Sequence, residues 1–328
     1  MMCAMNSRFL LTATAAFLSA ISPAFGADGP PDWAYGIAPD GSWAPPAGRG
    51  GRGAAADTSL KKLPGSAGEF TSAQISNGFG PADWFPNDHP PMPQIVANGR
   101  QPAVRACALC HYPNGKGRPE NAAVNGLTVE YFIQQMNDFR HDLRISADPR
   151  KANSKNMVDI AKAMTDEEIK ASAEYFGLMK WTPWIRVVET DTVPKTRVVR
   201  GLFTALESGE KEPLGQRIME VPENTEMSEV YRNPRSGFIA YVPVGSIRKG
   251  EALAKAGQCA MCHGADLKGI GPVPGIAGRS ATYVWREMYD FQHDTRKGLW
   301  SGLMKPAVDK LSTDDMIAVS AYVASVKP

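Results

Sequence analysis

The chain has 328 residues, long enough for two small domains or one large one, and its 43% hydrophobic content is ordinary for a protein with a buried core. A formal net charge of +2 is far from the strongly basic balance of a nucleic-acid binder, so a polyanionic partner is not expected.

In chain order, residues 1–8 carry one positive charge, residues 9–21 form a short apolar run, and residues 22–27 supply small side chains. That order predicts a cleaved signal peptide over 1–26, with export to the periplasm and a mature chain starting near Ala27. The alternative, an uncleaved anchor, would need about 20 apolar residues. No transmembrane anchor is expected after cleavage, and Cys3 falls in the discarded segment. Residues 27–91 are rich in Gly, Pro and Ala and read as a partly flexible extension. Within it Trp33, Trp43, Trp84 and the Pro90-Pro91-Met92-Pro93 run look like docking patches, and the basic stretch 49–53 like a solvated linker or, less simply, a partner contact.

Four cysteines follow. In an exported protein they would ordinarily pair as disulfides, but Cys107-Ala108-Leu109-Cys110-His111 and Cys259-Ala260-Met261-Cys262-His263 are both C-x-x-C-H, the attachment signal of c-type haem. Two thiols bond the two vinyl groups on one porphyrin edge, and the adjoining His111 or His263 reaches the iron as proximal ligand. A thioredoxin-like pair needs no adjacent His, and a zinc site would not put every mature Cys in the same pentapeptide. Two covalently bound haem c groups are therefore expected, on Cys107 and Cys110 and on Cys259 and Cys262.

The motifs sit in a repeat. Residues 131–144 align with 283–296 at an offset of 152, the offset between His111 and His263. Phe132, Met136 and Phe139, like Val284, Met288 and Phe291, recur at helical spacing and predict one apolar helix face in each half. Residues 157–169 then align with 304–316 at an offset of 147, so the first half carries five extra residues in the polar stretch 145–156. Thr165 with Glu168, and Ser312 with Asp315, form capping boxes that open helices running through Tyr175-Phe176 and Tyr322-Val323.

Two repeated pairs could supply a distal iron ligand: Met157 with Met304, and His141 with His293. The methionines are expected in a loop ahead of a helix, where a thioether can hang over a haem face. The histidines sit at helix C-termini among charged residues, where the helix dipole alone explains them. Met157 and Met304 are thus the expected ligands, while Met136, Met164, Met179, Met288 and Met316 fall on apolar faces and read as core. Met/His ligation raises the reduction potential and closes both axial positions. Between the repeats, β-branched runs at 185–190, 197–200 and 238–242 predict short strands, or an extended clamp across both haem domains.

These residues resemble the diheme class I cytochromes c of the c-four type, over about half of the chain. The match is good in the second half, from Gly250-Glu251-Ala252-Leu253 through Cys259 and His263 to Pro274-Gly275-Ile276-Ala277-Gly278 and Met304. The resemblance implies that the Pro274 carbonyl accepts a hydrogen bond from the proximal imidazole of His263, fixing its tautomer. The first half departs: Ala122 stands where Pro274 does, and Pro102 interrupts the helix leading to Cys107.

The expected fold is mainly α, two tandem class I cytochrome c domains joined by an extended, partly β linker. The divisions are a signal peptide (1–26), the extension (27–91), domain 1 (92–182), a linker or clamp with short strands (183–244) and domain 2 (245–328). The expected function is periplasmic electron transfer, not catalysis. The chain would act as a carrier between a periplasmic dehydrogenase, the donor, and an oxidase or other cytochrome, the acceptor, or as the cytochrome subunit of an oxidoreductase. A diheme enzyme, such as a peroxidase or a thiosulfate-oxidising cytochrome, is the alternative, and would need one iron with an open distal position.

Overall fold

A computed structural model of the chain describes residues 29–41 and 57–328. The segment 1–26 expected to be a signal peptide, Trp43 and the basic stretch 49–53 lie outside the described residues. The first elements are α1 (Asp32–Tyr35), a hairpin of β1 (Lys61–Lys62) and β2 (Glu69–Phe70), and α2 (Ser72–Ile75), opened by a capping box at Thr71. Then come α3 (Gln94–Ala97), α4 (Cys107–His111), α5 (Val129–Arg140), α6 (Ala152–Ala163) and α7 (Asp166–Gly177). The second half repeats the pattern with α9 (Ser246–Ala256), α10 (Cys259–His263), α11 (Ala281–Gln292), α12 (Ser301–Val308) and α13 (Thr313–Ser325), after a short α8 (Thr225–Glu229).

Each half closes on its own core. In the first, Phe132 and Met136 from α5, Met164 just after α6, and Ile169 and Phe176 from α7 pack together. In the second, Trp285, Met288, Phe291, Met316 and Ile317 do so from α11 and α13. Trp285 is fully buried, and truncating such a side chain to Ala costs about 3–5 kcal/mol. The capping boxes at Thr165 and Ser312 open α7 and α13 as expected. The helices α9 and α13 cross so closely that a Cβ on Gly250 would lie within 3.0 Å of the Ala318 carbonyl, and no such atom is there.

Within residues 183–243, β3 (Ile185–Glu189), β5 (Thr196–Val199) and β9 (Phe238–Val242) form where β-branched runs predict them, and β4 (Thr192–Pro194), β6 (Leu202–Ala205), β7 (Lys211–Pro213) and β8 (Met219–Pro222) form outside those runs. β9 is central to a three-stranded sheet, parallel to β3 and antiparallel to β8. The sheet touches the second half through charge at helix starts. Buried Glu220 on β8 accepts the Ala281 and Thr282 amides at the N-terminus of α11, and Glu189 accepts the Ile247 amide of α9. A carboxylate is favoured there by the unpaired N–H groups and the helix dipole.

The stretch after β8 reaches the first half instead. Trp84 donates to the Tyr231 carbonyl at 2.7 Å, Arg235 pairs with Asp88 and covers the Phe85 ring, and Leu63, Ile75, Trp84 and Phe85 form a small core there. Extension and linker thus build one layer. Another expected patch, Trp33, packs on Trp285 with ring centroids 5.0 Å apart. Among the described residues no helix is long and apolar enough to cross a membrane.

Candidate haem sites

Both C-x-x-C-H segments are short helices, α4 and α10, whose i, i+3, i+4 spacing brings the two cysteines and the histidine to one face. His111 Nδ1 lies 2.7 Å from the Ala122 carbonyl, and His263 Nδ1 lies 2.9 Å from the Pro274 carbonyl. With Nδ1 held as donor, Nε2 carries the lone pair and points the imidazole's ligand atom away from the backbone. Burial pulls both histidines below their ordinary pKa, against the opposing carbonyl contact, so each ring is neutral and able to ligate a metal. Alanine serves as well as proline here because only the carbonyl is used.

None of these four cysteines is paired in a disulfide. Burial pushes Cys107 up to about 11, its hydrogen bond to Ser172 opposing, and Cys110 and Cys259 are raised for the same reason. Among the described residues no three His, Cys, Asp or Glu side chains cluster as zinc would require.

A cavity opens beside His111 and Cys110, lined by Val124, Leu127, Phe132, Met136, Met157 and Ile160. Its far side is polar and belongs partly to the second half, with Tyr283, Arg286, Glu287 and Asp290. A flat apolar macrocycle with ionised carboxylates on one edge needs this division, so the residues fit a haem. Met157 lines the cavity, but so does Met136, and both also line an adjoining cavity at His111 together with Met164; Met157 sits within α6 rather than in a loop. Met304 likewise lies within α12, half-buried against the second core. α6 and α12 both start without a side-chain cap, and Pro306 lies inside α12, so neither announces itself locally. His141 and His293 are exposed and close their rings back onto the Asn137 and Tyr289 carbonyls.

The two motif edges differ in exposure. Arg232, from the linker, donates to the Leu109 carbonyl between Cys107 and Cys110 and lies over the Tyr112 ring, and Asn114 donates to the Pro234 carbonyl. At the second motif Cys262 is exposed, Met261 is 72% exposed, and Ile270, Leu299 and Leu303 are exposed as well. Sequence reasoning missed Arg232, which carries no motif and lies 123 residues from Leu109.

Repeated helical cores around two such motifs define a protein with two c-type haem sites. The cytochrome c family model matches residues 96–178 and 247–327, together half of the chain, and the chain belongs to that family. Cytochrome c-554(548) of Halomonas halodenitrificans is 38% identical over 80 residues, 23% of this chain and 96% of that protein. The thiosulfate dehydrogenase electron acceptor of Stutzerimonas stutzeri is 25% identical over 231 residues, 70% of this chain and 82% of that one. Cytochrome c4 of Thiocapsa roseopersicina is 24% identical over 229 residues, covering 69% and 89%. The chain is thus a diheme cytochrome c that transfers electrons and carries two covalently bound haem c groups.

Proposed function

We propose that the chain is a periplasmic relay that accepts electrons from a dehydrogenase and passes them to an oxidase or another cytochrome. Cys107 and Cys110 hold one haem and Cys259 and Cys262 the other. His111 and His263 are the proximal ligands, oriented through Ala122 and Pro274, and Met157 and Met304 are the distal ligands. The bound haems supply one-electron cycling of iron between its ferrous and ferric states. The chain's part would be to fix each imidazole, offer a thioether from Met157 or Met304, exclude water with the apolar lining and present an edge to a partner. Repetition of the methionine in both halves favours this over a peroxidase, which needs an open iron, and peroxide turnover by the purified protein would contradict it.

The observation that carries the reading is the unequal cover of the two edges. With Arg232 and the linker seated on the Cys107–His111 turn and Ala260, Met261 and Cys262 of the second turn exposed, partners exchange electrons at the second haem. The likeness to a protein called a thiosulfate dehydrogenase electron acceptor supports a dehydrogenase as donor. Rapid mixing with a small outer-sphere reductant tests it. The expected course has two phases, the slow one belonging to the first haem, and Arg232→Ala accelerates only that phase. Equal rates at both haems in the unaltered protein would refute the port. Co-purification of a dehydrogenase in stoichiometric amount would identify a resident subunit rather than a free carrier.

A further inference from the structure

Arg279 lies in the turn that follows Pro274 and is 4% exposed. Its guanidinium makes three hydrogen bonds, all to carbonyl oxygens: Nε to Gly275 at 3.3 Å, Nη1 to Ala123 at 3.0 Å and Nη2 to Asn125 at 3.2 Å. Gly275 follows Pro274, whose carbonyl faces His263 Nδ1, and Ala123 follows Ala122, whose carbonyl faces His111 Nδ1. One side chain therefore grips the peptides next to both histidine-orienting carbonyls, one in each half. The clasp is reciprocal. Trp181, from the end of the first half, donates Nε1 to the Ala277 carbonyl at 2.9 Å and lies beneath the guanidinium, 4.2 Å from its centre.

We propose that Arg279 is a positioning residue shared by the two haem sites, coupling the orientation of His111 to that of His263 and setting one buried positive charge beside both. This rests on the assignment of the two histidines as iron ligands. Arg suits the task because its donors form a rigid planar fork, which a Lys ammonium cannot reproduce across three separate acceptors. None of its hydrogen-bond partners is a carboxylate, so its charge is not neutralised by them. Burial pulls its pKa down to about 10, which still leaves it charged at neutral pH. In a medium of low dielectric such a charge disfavours the ferric form at each site. Because each loop is also tied to its own helical core, through the Gly126 amide to Phe176 and the Gly278 amide to Val323, a shift on one side is passed to the other rather than absorbed.

The test uses haem-loaded, full-length protein with ¹⁵N-labelled histidine in the reduced state. Arg279→Gln is expected to speed exchange of the Nδ1 proton at both His111 and His263, by roughly tenfold if each orienting hydrogen bond is weakened by its typical net worth. It is also expected to lower both reduction potentials. Arg279→Lys, which keeps the charge without the fork, restores the potentials but not the slow exchange. If Arg279→Gln does not mature, Arg279→Lys alone must still quicken exchange at both histidines. A change confined to His263, or none at either ring with only a drop in melting temperature, would reduce Arg279 to an ordinary interface residue and overturn the proposal. Failure of the ligand assignment would show separately, as missing imidazole ligation in the unaltered protein.

Discussion

His111 Nδ1 meets the carbonyl oxygen of Ala122 at 2.7 Å, the same relationship that His263 has with Pro274 at 2.9 Å. The acceptor is backbone in both, so the residue type matters only through loop stiffness. Pro274→Ala should therefore keep its haem and its axial ligation, at a stability cost of about 1 kcal/mol or less from a freer unfolded chain. Haem content and a denaturant midpoint check this, and a variant lacking the second haem would contradict it.

Truncating a distal ligand should act on one site at a time. Met157→Ala and Met304→Ala are each expected to remove the sulfur-to-iron absorption band of one haem. Each should lower that haem's potential by on the order of 0.1 V or more, within the roughly 0.8 V that axial ligands span. Met136→Leu and Met164→Leu, which share the first cavity with Met157, should leave the band in place. A band lost in either of those variants instead would reassign the ligand.

Asp290 on α11 predicts a pH dependence of stability. Its Oδ1 accepts from the Tyr35 hydroxyl and the Ala147 amide, both at 2.9 Å, and it is faced by Glu287, Arg296 and Lys151. Burial pushes its carboxyl up to about 6, with Glu287 adding to the effect and the hydrogen bonds and Arg296 opposing it. The folded protein thus binds more protons than the unfolded chain between about pH 4 and 6, so this group's contribution to stability falls as pH rises through that window and is flat above it. Asp290→Asn keeps an acceptor for Tyr35 and Ala147 while removing the buried charge. It should gain up to about 3 kcal/mol at pH 7 and lose that slope. Chemical denaturation at pH 4.5 and 7 measures both.

Gly250 is where α9 and α13 touch backbone to backbone. Gly250→Ala adds helix propensity worth about 1 kcal/mol, but forces a Cβ against the Ala318 carbonyl. Overpacking of this kind typically costs about 1–3 kcal/mol, so a net loss of stability is expected. An unchanged or higher melting temperature would show that the helix pair can slide apart freely.

What the sequence made legible was local or covalent. Thioether attachment fixes the cysteine and histidine spacing, and capping boxes at Thr165 and Ser312 need only four consecutive residues, so motif, repeat and helix starts could be read directly. The strands at 185–189 and 238–242 followed from β-branched runs, though nothing in them foretold that they would pair in parallel. Met157 and Met304 lie in helices rather than in the expected loops, and no capping side chain marks α6 or α12, while Pro306 stands inside α12. Arg232 and Arg279 act across more than a hundred residues on backbone carbonyls, acceptors that every residue offers. Only the folded chain selects them.

The central claim, one haem fixed at each C-x-x-C-H segment, is tested most directly by mass spectrometry of the exported protein and its proteolytic peptides. The account predicts an intact mass increased by two haems, with one on the peptide containing Cys107 and Cys110 and one on that containing Cys259 and Cys262. An intact protein with a single added haem, or with both peptides carrying free or disulfide-bonded thiols, would contradict it.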